Sequence, residues 1–81
     1  MNTENMKNYI SETIAYHEAE LEKHSTAYDE AAHARNFYQN DVQDYLKAEY
    51  FEIQRDEAAE KVYFTRKTIE GLQQLLNSKL N

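Results

Sequence analysis

Two histidines and a carboxylate are the first residues in this chain that could do chemistry together. His17 and His24 are seven positions apart, and Glu20 lies three after one and four before the other. On an α-helix that spacing brings all three to one face. Imidazoles beside a carboxylate can ligate a metal or respond to pH near neutrality. The same two rings also fall in line with Ile14, Leu21 and Tyr28, where amphipathic rings fill a seam between helices and hydrogen-bond across it. The plainer reading is adopted, and no metal is expected.

Glu30-Ala31-Ala32-His33 has the Glu-x-x-His spacing that di-iron helical bundles use. That chemistry needs both side chains turned inward. The helical phase set by Ile14, Leu21 and Tyr28 turns Glu30 and His33 outward, and a helix this rich in glutamate generates the spacing by chance.

Catalytic patterns are missing elsewhere too. There is no cysteine, and the single glycine, Gly71, sits within a helical pattern rather than in a phosphate-cradling loop. Ser11, Ser25 and Ser78 lack the strand-turn-helix setting of a nucleophile elbow, and His24 beside Ser25 points along a different helical face. No enzyme activity, catalytic residue or cofactor is expected.

Carboxylates are the commonest reactive groups: fifteen against nine basic residues, for a net charge of −6. Glu18 and Glu22 are four apart, as are Glu52, Asp56 and Glu60. Along a helix that step is about 6 Å, near the spacing of backbone phosphates. One functional alternative is therefore an acidic nucleic-acid mimic that inhibits a DNA- or RNA-handling enzyme such as a host-defence nuclease. Direct nucleic-acid binding is not expected, because it would want a basic stripe.

The elements that position these groups follow from periodicity. Met6, Ile10, Ile14, His17, Leu21, His24, Tyr28, Ala31 and Arg35 recur at alternating steps of three and four, the signature of a helix packed on a helix. Ala48, Phe51, Arg55, Ala58, Val62, Thr65, Ile69, Leu72 and Leu76 form a second such seam. Thr3 is a plausible N-cap for the first helix. Asn40 with Gln43 resembles a capping box opening the second. Residues 41–60 hold seven acids against Lys47 and Arg55, whereas 61–81 hold four bases against Glu70 alone. Acid first and base last is the order the helix dipole favours.

The fold expected is all-α: a long antiparallel helical hairpin with helices at about 4–36 and 40–78, turning near Asn36–Asn40. That turn pairs Ile10 with Ile69, His17 with Val62, Leu21 with Ala58 and Tyr28 with Phe51. The alternative is a three-helix bundle, broken at Ser25-Thr26, where Thr26 with Asp29 would cap a new helix.

At 81 residues the chain reads as one helical domain over 1–81. Leu, Ile, Val and Phe make up only fifteen positions, a composition that borders on disorder. Seven tyrosines, no proline and unbroken helical periodicity argue for a fold. No stretch approaches the ~18 apolar residues of a membrane span, and the polar start Met1–Asn5 lacks a secretory signal. The expectation is a cytoplasmic protein without membrane contact.

A two-helix hairpin has one seam, so apolar residues off that seam point to a partner. The second helix carries Leu46, Tyr50, Ile53 and Phe64 on its far side, with Phe37, Tyr38 and Tyr45 near its start; the first adds Tyr9 and Tyr16. A homodimer that forms a four-helix bundle would cover them, and so would another protein. The function expected is a non-enzymatic protein-binding module, a small adaptor, regulator or inhibitor. Its contacts would be Phe37, Tyr38, Leu46, Tyr50 and Ile53, rimmed by Glu49, Glu52 and Asp56. A purely structural homodimer is the remaining alternative.

Overall fold

The computed structural model describes residues 3–78 and is an antiparallel α-helical hairpin. Helix α1 spans Thr3–Asn36 and α2 spans Tyr45–Ser78, each 34 residues long. Between them lies a π-helical turn, Phe37–Asp41. No strand is present among the described residues. The molecule is a rod with Cα extents of 59 × 15 × 14 Å, only one helix pair thick.

Helix α1 runs unbroken through Ser25 and Thr26, so the three-helix alternative does not hold. With no proline or glycine in that stretch, nothing forces a break. The α2 seam is as expected: all nine of its positions, from Ala48 to Leu76, are buried or half-buried. On α1, Met6 and Tyr28 are exposed and the other seven are not.

The turn differs from expectation in place and in chemistry. Helix α1 ends at Asn36 as expected and passes directly into the π-helical turn, closed by the Val42 amide donating to the Phe37 carbonyl at 3.2 Å. The Asp44 amide then donates to the Tyr38 carbonyl at 2.8 Å. Gln43 carries the reversal in the left-handed region at φ 59°, the only non-glycine residue there among those described. Asn40 and Gln43 therefore cannot form a capping box: one is inside the turn and the other is left-handed. Asp44 caps α2 instead, its Oδ1 accepting from the Lys47 amide at 3.2 Å. That is why α2 starts at Tyr45 rather than near residue 40.

A later reversal slides the helices past each other. Moving the turning point by ~3.5 residues shifts each cross-helix pairing by ~7, one heptad, which leaves the same faces in contact. Tyr28, expected opposite Phe51, instead shares a groove with Ala59 and Val62. Phe51 lies beside Ala34 and Tyr38.

Side-chain size is uneven along the core. Ile10, Ile14 and Ile69 form its buried cluster at the end away from the turn, with Leu21, Leu72 and Leu76 packed against them. Toward the turn the buried residues are alanines: Ala31, Ala48 and Ala58. No polar or charged residue is buried among those described.

Candidate protein-docking face

Helix α2 presents Leu46, Tyr50, Ile53 and Phe64 on the side away from its seam. They are 82%, 57%, 51% and 58% exposed. Steps of four and three place Leu46, Tyr50 and Ile53 on a single stripe, and Phe64 rejoins it three turns later. The stripe continues across a groove. Tyr50 shares that groove with Gln54 and with Ala27, Glu30, Ala31 and Ala34 of α1. Further along, Phe64 shares another with His24. Tyr9 and Tyr16, both exposed, lie on the same flank of α1 as Ala27 and Ala34, by spacings of seven, eleven and seven.

Eight residues are expected at a docking face, and they divide into two groups. Leu46, Tyr50, Ile53, Glu49 and Asp56 are exposed on α2, and Phe37 is exposed in the turn. Tyr38 and Glu52 are half-buried and occupied within the hairpin. The Tyr38 ring stacks on Phe51, with centroids 5.5 Å apart and planes at 3°. The Lys47 ammonium sits 5.2 Å from the Tyr38 centroid. Glu52 Oε1 lies 3.7 Å from Arg35 and 3.4 Å from Arg55. Arg55 also approaches Asp56 at 3.3 Å. Helical spacing alone accounts for Glu52 beside Arg55, three positions on, whereas the Glu52–Arg35 and Tyr38–Phe51 contacts depend on where the π-helical turn sets the ends of the helices.

The histidines sit where a seam would place them. His17 and His24 are half-buried. His24 Nε2 lies 3.6 Å from Glu20 Oε2, one turn earlier, and His17 meets the Tyr16 ring edge-on at 5.3 Å. Among the described residues, no three His, Asp or Glu side chains converge to hold a metal ion. Glu30 and His33 are exposed, on the outward side their phase implied. No helix among the described residues is long and apolar enough to cross a membrane.

Comparison with protein-family models, curated proteins and solved structures finds no significant match. The functional reading therefore rests on the geometry of the face. On that face aromatic and aliphatic side chains stand open to solvent on one helix, flanked by the carboxylates of Glu49 and Asp56.

Proposed function

We propose that this chain is a non-enzymatic protein-binding module that acts through the outer face of α2 and the adjoining flank of α1. The observation that carries this reading is the exposure of Leu46, Tyr50 and Ile53 beside the alanine-lined groove. Apolar side chains gathered on one wet helix face are little buried within the hairpin, although Tyr50 meets the Phe51 ring edge-on at 5.1 Å; covering them stabilises a complex, by about 25 cal/mol per Å² buried. Glu49 and Asp56 flank them and would select a partner by charge.

The test is capture by immobilised wild-type chain set against the double variant Leu46→Lys with Ile53→Lys. Both substitutions are at exposed positions, so helicity by circular dichroism should be unchanged. The variant should lose the proteins that wild type retains. Retention by wild type should also survive about 0.5 M salt, where Coulombic attraction is screened within ~4 Å. Identical capture by both proteins would refute the reading.

Mimicry of nucleic acid has less support. Two carboxylates of its ladder, Glu52 and Asp56, already face Arg55, and Glu52 faces Arg35 as well. A mimic would instead lose its partner steeply with added salt.

A further inference from the structure

The docking face deepens into a more specific claim once its area and charge are set out. A compact monomer of this mass exposes about 5,100 Å², whereas this chain exposes 6083 Å². The excess of about 1,000 Å² is close to the ~800 Å² that each partner contributes to a standard protein interface. The hairpin is thus short of burial by about one interface.

Charge is segregated along the rod. Residues 29–60 carry nine acids (Asp29, Glu30, Asp41, Asp44, Glu49, Glu52, Asp56, Glu57 and Glu60) against Arg35, Lys47 and Arg55, which accounts for the whole net charge of −6. Beyond residue 60, α2 is basic: Lys61, Arg66 and Lys67 against Glu70. Arg66 turns toward α1, where it lines a groove with Tyr28 and Val62. The outer face of α2 thus carries Glu49, Asp56, Glu57 and Glu60 in one half and Lys61 and Lys67 in the other, and it is self-complementary only when a second copy runs in the opposite direction. In a parallel pair, Glu57 and Glu60 would each meet their own equivalents, and like charges across an interface repel.

Gly71 lies on this same outer stripe. Glycine inside a helix costs about 1 kcal/mol relative to alanine, and a Cβ at Gly71 would meet nothing within 4 Å in its own chain. The hairpin itself has no need of a glycine there. Full antiparallel overlap of two α2 helices, Tyr45–Ser78 on each, brings Gly71 level with Glu52 of the second copy, one residue from Ile53, and Glu57 within one residue of its Lys67.

We infer that the occupant of this face is a second copy of the chain, packed antiparallel through α2 into a four-helix bundle. The inference rests on the docking reading above and names its partner.

Sedimentation equilibrium of the full chain and two charge-reversed variants tests it. Wild type should sediment at twice the 9.6 kDa chain mass at micromolar concentration. Glu57→Lys with Glu60→Lys, and Lys61→Glu with Lys67→Glu, should each weaken dimerisation by roughly a hundredfold or more. Circular dichroism should show that both variants remain helical. An equimolar mixture of the two should recover the dimer, because each variant supplies the charge that the other lacks. A wild-type monomer, undiminished dimers of either variant, or a mixture that stays monomeric would each overturn the inference. A monomer whose captured proteins are still lost on Leu46→Lys with Ile53→Lys would mean that the face serves a different protein, leaving the docking reading intact. A dimer whose captured proteins are indifferent to that change would refute docking while self-association stands.

Discussion

The Tyr38 ring lies flat against the Phe51 ring, centroids 5.5 Å apart and planes 3° from parallel. One ring belongs to the π-helical turn and the other to the second turn of α2. The pair therefore fastens the point of chain reversal to the helix that follows it.

Removing that fastening should cost stability rather than binding. Tyr38→Ala should lower the unfolding free energy by about 2 kcal/mol, from lost aromatic burial and stacking. Tyr38→Phe, which keeps the ring, should stay within about 0.5 kcal/mol. Urea melts at a fixed protein concentration check both. A neutral Tyr38→Ala would return this residue to the docking face.

Gln43 adopts a left-handed conformation that glycine would occupy without steric cost. Gln43→Gly should therefore stabilise the hairpin by about 1 kcal/mol, and Gln43→Val should destabilise it by at least as much. Thermal melts of the two variants should move in opposite directions.

Asp44 caps α2 through the Lys47 amide. Asp44→Ala should cost about 1 kcal/mol and Asp44→Ser much less, since serine also caps well. Asn40→Ala should be nearly silent, the reverse of what a capping box at Asn40 would give. Chemical denaturation separates the two sites.

Glu52 sits between two guanidiniums, yet its side chain is 43% exposed. Solvent screens such a pair, so Glu52→Gln should cost under about 1 kcal/mol. The loss should shrink further as salt is added. A large, salt-independent loss in urea melts would mean that the pair is better shielded than its exposure indicates.

Periodicity made the helices and their faces legible. Steps of three and four marked Ala48 through Leu76, and none of those nine side chains is exposed. The same residues could not reveal the register, because a heptad repeat matches itself after a slide of one heptad. What selects the register is the turn, built without glycine or proline and therefore unsignalled by the usual residues. Leu46, Tyr50 and Ile53 were legible as apolar residues out of phase with the seam. The contacts of Tyr38 with Phe51 and of Glu52 with Arg35 were not legible, because those neighbours approach through the shape of the turn and not through helical spacing.

The uneven core has a kinetic consequence. Near the turn, Tyr38 and Phe51 need only a short loop to meet, so the hairpin can begin to zip there at little entropic cost. Beyond that aromatic pair the buried residues next to the turn are alanines, which add little apolar area. Ile14 and Ile69, fifty-five positions apart in the sequence, can meet only when the zipping nears the opposite end, and their cluster is the larger one. The isoleucines act as a latch on a closing zipper. The rod should therefore resist opening at the end opposite the turn, and a break in that latch should release the whole length at once.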